Sequence, residues 1–328
     1  LLVTVPMTDA ILASPVVYEN HVYVIDGAGV LACIDIATGK KQWQFRTEGG
    51  SGNCNNVASP CVVDGFVHVG TMAGFYYVLN CSDGKLVRRV DCGEPVFAAP
   101  VAGNGRVYFA TLGARLYCLK PDGVSCWEWD FVREVIGFKG DRWKGDDWLA
   151  FRGDRVTWRD HFVCSREICL IGKTVVMPAG GRTVFINDAG SAATLKHVGE
   201  VPDYVGKEYP ATFGQSADSD GRVFVQWHRR DNAGRVEVMN LEDGEFTTQV
   251  VPGTETSIDK QGLLSFASVS VRGDDVYRVR PEQGAGLCRH SLATGETELL
   301  CEAGSICPPV LTRQHAIYGG LSGTLYVV

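Results

Sequence analysis

No apolar run in this chain approaches the ~18–20 residues that a membrane-spanning helix needs, which excludes a membrane-spanning helix within it. Metal-knuckle spacing is missing too. There is no C-x-x-C, and neither Cys54 to Cys61 nor Cys164 to Cys169 has a matching second pair, so a zinc knuckle is excluded. No G-x-S-x-G, H-E-x-x-H or phosphate-loop pattern occurs, which removes the common motif-level routes to hydrolase, metalloprotease and nucleotide chemistry. Cations are not in excess: the formal net charge is −7, which argues against a nucleic-acid partner, because phosphate binding needs clustered Lys and Arg. Runs with helical periodicity are scarce, and that excludes an α-solenoid. The opening Leu1-Leu2-Val3-Thr4-Val5 has no initiator Met and no basic stretch before it. It reads as a mature or trimmed chain, with any signal peptide or lipid anchor lying outside the sequence.

What is present is a soluble globular composition, 45% apolar and 21% charged. The twelve cysteines form an even set, which suits disulfides and an oxidising compartment. Cys33, Cys118 and Cys288 also fall on strands where a small apolar side chain fits, so unpaired packing thiols stay open as the alternative.

Internal self-similarity decides the architecture. Three units align: Ser14-Pro15-Val16-Val17 with His21-Val22-Tyr23-Val24 and Cys33-Ile34-Asp35 to Trp43; Ser59-Pro60-Cys61-Val62 with Phe66-Val67-His68-Val69 and Val78-Leu79-Asn80 to Lys85; Ala99-Pro100-Val101 with Arg106-Val107-Tyr108-Phe109 and Leu119 to Trp127. Weaker copies follow around 173–190, 222–244, 275–295 and 309–328. Each unit reads as four short apolar or alternating strands separated by Gly, Asn and Asp turns. The expected fold is an all-β, seven-bladed propeller of four-stranded blades, a single domain over 1–328, with six or eight blades as alternatives. The last copy stops after its third strand. Residues near 1–8 are expected to supply its outer strand and close the ring, which removes open sheet edges.

The run Cys33-Ile34-Asp35-Ile36-Ala37-Thr38-Gly39-Lys40-Lys41-Gln42-Trp43 resembles the tryptophan-docking motif of the PQQ-like (quinoprotein-type) propeller family, A-x-D-x-x-x-G-x-x-x-W, with Cys33 in place of Ala. Asp35 is suited to accept turn amides, Gly39 to reverse the chain at positive φ, and Trp43 to fill the space between blades. The second copy keeps Asn80 and Gly84 but has Arg88 for Trp. The third keeps Asp122, Gly123 and Trp127 in a turn one residue shorter. Later copies keep only the turn Gly. The resemblance implies a fold rather than a reaction. Quinone-dependent members have eight blades, a calcium ion, an Asp base and often a vicinal disulfide. This sequence shows seven repeats, no adjacent Cys pair and no matched calcium-ligand set, so PQQ with calcium is the minor expectation and no cofactor the main one. Other members act as scaffolds, among them the outer-membrane-protein assembly lipoprotein.

Residues 132–161 interrupt the repeat between the third and fourth units with three Trp and a dense mix of Asp and Arg. Long inter-blade insertions are typically functional or disordered, and the Trp content argues against disorder. Two readings stand. In one the insertion rims a funnel, with Trp143, Trp148 and Trp158 stacking on a ligand and Asp146, Asp147, Arg152, Arg155, Asp160 and His161 supplying polar contacts, acid–base function or a cation site. In the other it packs across a neighbouring blade, its Trp residues serving as anchors. The expected function is a non-catalytic, extracytoplasmic binding or scaffold module for a protein partner or glycan. The alternative is an enzyme using the funnel, either a PQQ-dependent oxidoreductase or a carbohydrate-active hydrolase or lyase.

Overall fold

The computed structural model describes residues 5–49, 56–156, 158–200, 211–217, 221–228, 234–250, 269–279, 286–304, 309–319 and 325–328. Its strands assort, among these residues, into seven antiparallel sheets, six of four strands and one of three. The first sheet holds β1–β4 (Val16–Tyr18, His21–Ile25, Val30–Asp35, Lys41–Arg46). The second holds β5–β8 (Cys61–Val63, Phe66–Gly70, Phe75–Asn80, Leu86–Asp91). The third holds β9–β12 (Val101–Gly103, Arg106–Ala110, Arg115–Leu119, Ser125–Asp130). The fourth comprises β13–β16 (Cys169–Ile171, Thr174–Ala179, Arg182–Asp188, Ala193–Glu200), the fifth β17–β20 (Ala211–Ala217, Arg222–His228, Gly234–Asn240, Phe246–Val250), and the sixth β21–β24 (Ser270–Arg272, Asp275–Val279, Leu287–Ser291, Thr297–Cys301). The three-stranded seventh holds β25–β27 (Val310–Leu311, Ala316–Gly319, Leu325–Val327). Each sheet coincides with one sequence repeat, and within each the strands pair in chain order. Of the expected closing strand, residues 1–4 lie outside the described residues and residues 5–8 carry no strand.

Local chemistry explains the meander. The first two strands of the second and third sheets turn at Asp64-Gly65 and Asn104-Gly105, where both residues have positive φ. That is the tight hairpin geometry for which Asp-Gly and Asn-Gly are favoured. The third and fourth strands turn at the Asp/Asn-x-x-x-Gly element. Asp35 accepts Thr38 N–H and Thr38 Oγ1–H, both at 2.8 Å, and Asn80 Oδ1 accepts Ser82 N–H at 2.9 Å. In the shorter third turn Asp122 Oδ1 accepts Val124 N–H at 3.1 Å.

The chain divides into two compact units: Leu1–Trp158 with Phe162–Met177 and Ile186–Thr194, and Arg159–His161 with Pro178–Phe185 and Leu195–Val328. Within the first, the period-2 pattern of each middle strand serves two neighbours. Tyr77 and Leu79 of β7 face Tyr23, Leu31 and Cys33 of the first sheet, while Tyr76 and Val78 face Phe109, Tyr117 and Leu119 of the third. Tyr76 stacks on Phe109 at 3.7 Å between centroids. Burial on both faces is why these strands read as nearly continuous apolar runs, whereas the outer strand β8 is mostly exposed. The second unit repeats the scheme. Phe224 and Val238 pack on Val276, and Tyr277 and Leu287 pack on Ala316 and Tyr318.

Candidate functional site

Two arrangements carry the chemistry that the sequence singled out: the docks between successive sheets and the insertion. In each of the first three sheets a cross-strand row of three residues faces the next sheet. These rows are Tyr23–Cys33–Trp43, His68–Val78–Arg88 and Tyr108–Cys118–Trp127. Trp43 lies so close to the following turn that a Cβ on Gly84 would sit 2.6 Å from its ring, and its Nε1–H donates to Cys81 O at 2.8 Å. Arg88 lies over Gly123 in the same way, while His68 Nε2–H donates to Pro121 O at 2.8 Å. In the third row Trp127 Nε1–H and Tyr108 O–H both donate to buried Asp188, at 3.0 and 2.7 Å, and Arg106 pairs with it at 3.0 Å. Burial opposes ionisation of Asp188. The hydrogen bonds from Tyr108, Gly190 N–H and Trp127 and the Arg106 charge outweigh it, holding the carboxyl below the usual range. Thus Asp35, Gly39, Trp43, Asn80, Gly84, Asp122, Gly123 and Trp127 build turns and docks. In the fourth sheet His197 takes the corresponding place over Gly244, a position sequence patterning left empty.

The insertion begins as a one-turn π-helical segment, Val132–Ile136, and continues into helix α1 (Gly145–Arg152) and a short α2 (Trp158–His161). In α1, Asp146 and Asp147 occupy the first turn and Arg152 the last, each complementing the helix dipole. Gly153 ends the helix at φ 82°. The insertion has its own small core. Trp148 is fully buried, stacks on Phe138 at 3.9 Å and on Phe162 at 5.8 Å, and donates its Nε1–H to Arg142 O at 2.9 Å.

A buried polar clamp fastens this core to the third sheet. Trp143 Nε1–H donates to Glu94 Oε2 at 3.0 Å, and Thr111 Oγ1–H to Glu94 Oε1 at 2.7 Å. Gly113 permits the approach, since a Cβ there would lie 2.1 Å from Glu94 Oε2. The buried Arg142 guanidinium donates to Gly113 O and pairs with Asp130. Asp130 is also met by Arg115 at 3.4 Å and caps the Val132 and Arg133 amides. Beside the clamp, Arg115, Glu128, Trp129, Asp130, Arg133 and Glu134 line a cleft of about 290 Å³.

The structure therefore separates the predicted insertion residues. Trp148 lies in the small core with its side chain fully buried, packed between the anchoring contacts to Phe138 and Phe162 rather than on the surface. Trp143 is half-buried in the clamp. Asp146 pairs with Arg155 at 2.6 Å and Arg152 with Asp154 at 3.7 Å, both on the surface, where such pairs contribute little. Asp147 accepts the Asp141 N–H at 2.8 Å. Asp160 lies on α2, and His161 is buried. Among the described residues no group of three or more His, Cys, Asp or Glu is arranged to hold a metal ion. Besides these charged pairs the insertion leaves three large apolar side chains exposed: Leu149 at 44%, Phe151 at 49% and Trp158 at 49%, the last edge-on against Trp143 at 5.4 Å. Sequence reasoning missed Glu94, Gly113, Asp130 and Arg142. Glu94 precedes the third sheet, Gly113 and Asp130 belong to it and Arg142 lies in the insertion, and nothing local marks their convergence.

The family model described as outer membrane protein assembly factor BamB matches residues 1–95 and 55–328. The chain belongs to this PQQ-like repeat family. Among solved structures, BamB from Moraxella catarrhalis is similar at 14% identity with a TM-score of 0.64, covering 97% of this chain and 83% of that one. At that identity the likeness concerns the fold, which is that of a BamB-type β-propeller. A search of curated proteins returned no match.

Proposed function

We propose that this BamB-family chain is a non-catalytic scaffold that binds a protein partner outside the cytoplasm, with the insertion as its recognition surface. The carrying observation is the exposed Leu149, Phe151 and Trp158, carried by the two helices of an insertion that Trp143, Arg142 and Glu94 clamp to the third sheet. Exposed aromatic and aliphatic side chains on a rigid base are the composition of interface hot spots. The family description, an assembly factor, supports a protein partner and an extracytoplasmic setting.

The same reading takes the fold as seven blades, one per repeat, each entered by the chain in the same way. In support, Asp26 Oδ2 accepts the Thr8 and Asp9 amides, and Gly27 N–H donates to Ala10 O. Leu112 N–H donates to Pro95 O in the same way, so residues 8–10 approach the first sheet as residues 94–96 approach the third. A glycan is the second reading, favoured by the half-exposed Trp158 ring. No resident cofactor enters the proposal. Thermal stabilisation by PQQ with calcium, or by a glycan panel, tests the alternatives. A ligand at about a hundred times its Kd adds about 2.7 kcal/mol. A shift with PQQ and calcium overturns the scaffold reading, and a shift with a glycan replaces the protein partner. Capture of a protein partner that is lost in a Leu149→Ser, Phe151→Ser, Trp158→Ser variant supports it.

A further inference from the structure

Ten of the twelve cysteines lie among the described residues, with Cys54 and Cys307 outside them, and Cys33 and Cys81 are free thiols. At the dock between the first and second sheets two of them converge. Cys33 pairs with Trp43 across the strands on one side and Tyr23 on the other. The Trp43 indole N–H reaches Cys81 O, and Cys81 packs against the same apolar cluster that holds Cys33 and Tyr23. Both thiols act on the Tyr23 hydroxyl, raising its pKa together with burial, so it lies near each of them. Cys33 is buried and Cys81 is half-buried, so Cys81 is the thiol more open to a reagent. We propose that Cys33 and Cys81 form a redox-closable disulfide that staples the first sheet to the second at the tryptophan dock.

The chemistry is thiol–disulfide exchange with a small-molecule disulfide such as glutathione disulfide. The Cys81 thiolate attacks one sulfur of the reagent, breaks its S–S bond and expels one thiolate, leaving a mixed disulfide on Cys81. The Cys33 thiolate then attacks the Cys81 sulfur, forms the Cys33–Cys81 bond and expels the second thiolate. Two protein thiols are oxidised and one reagent disulfide is reduced to two thiols, the two protons going to the released thiolates. Burial raises the pKa of both thiols. Their thiolate fraction is small near neutrality, and closure accelerates as the pH rises. The staple joins residues well separated in sequence, the case in which a cross-link restricts the unfolded chain most.

The test uses the whole chain, incubated with glutathione disulfide or with dithiothreitol, trapped with N-ethylmaleimide, and mapped as non-reduced peptides by mass spectrometry. The expected result is a joined peptide pair containing Cys33 and Cys81 in the oxidised sample alone. It forms faster at pH 9 than at pH 7, with a melting midpoint several degrees higher than in the reduced sample. Cys81→Ser abolishes both the joined pair and the rise. If Cys33 and Cys81 are recovered alkylated, singly glutathionylated or joined to other cysteines, the staple does not exist. The wild-type map alone decides this, whether or not the variant folds.

Discussion

At the scale of single residues, the dock rows set how much each position tolerates. Gly84 has φ +67° and its Cβ position lies 2.6 Å from the Trp43 ring, so Gly84→Ala meets backbone strain and an aromatic wall together. It is expected to cost about 2 kcal/mol or more in a urea melt. Gly123→Ala meets the Arg88 stem at 3.1 Å and a Val78 methyl at 2.9 Å, neighbours that can give, and costs less. His68 supplies a pH signature. Its Nε2–H donates to Pro121 O while Nδ1 accepts from Tyr76, which fixes a neutral ring, and burial pulls its pKa from 6.5 to about 4. Between those values the unfolded chain takes up a proton that the folded chain refuses. Stability contributed by the neutral ring is therefore complete above pH 6.5 and declines as the pH falls toward 4, by up to about 3 kcal/mol. Urea melts across that range are expected to show the decline, and His68→Gln to remove this part of it. Asp188, held below the usual carboxylate range, contributes at neutral pH and loses its contribution only as the pH falls through its own lower value.

At the scale of elements, the insertion is an anchored platform. Arg142→Ala leaves Asp130 without its buried partner and Gly113 O without its donor, and is expected to cost about 3–5 kcal/mol. Limited proteolysis reads the effect directly, as faster cleavage within 139–156 while the sheets stay protected. Trp148→Ala removes the core between Phe138 and Phe162 and is expected to cost a similar amount. Much of this was legible in the sequence. The repeats marked all seven sheets because strand alternation and Asn/Asp/Gly turns are local signals. Trp43 and Trp127 declared their docks through the spacing to a turn glycine. The place of the insertion was legible as a break in the repeat. Its internal division of labour was not: Trp143, Trp148 and Trp158 look alike in sequence, yet they became clamp, core and surface. That outcome is decided by Glu94 from one loop and Phe162 from another, contacts that no local pattern encodes. His197 was overlooked because it fills the dock position with a residue chemically unlike Trp.

At the scale of the whole molecule, membership in the BamB family and repeated four-stranded sheets agree with a scaffold, and the exposed Leu149, Phe151 and Trp158 are where the proposal places its partner. The most direct test is affinity capture from an envelope fraction of the native organism, using the wild-type chain and a Leu149→Ser, Phe151→Ser, Trp158→Ser variant side by side, with melting midpoints recorded for both. All three side chains are about half exposed, so the variant is expected to melt at a lower midpoint but with one cooperative transition, as a folded chain does. A protein partner held by the wild type is expected to be lost by the variant. Equal capture by both chains would contradict the insertion as the recognition surface, and a melting shift with PQQ and calcium would contradict the scaffold reading itself.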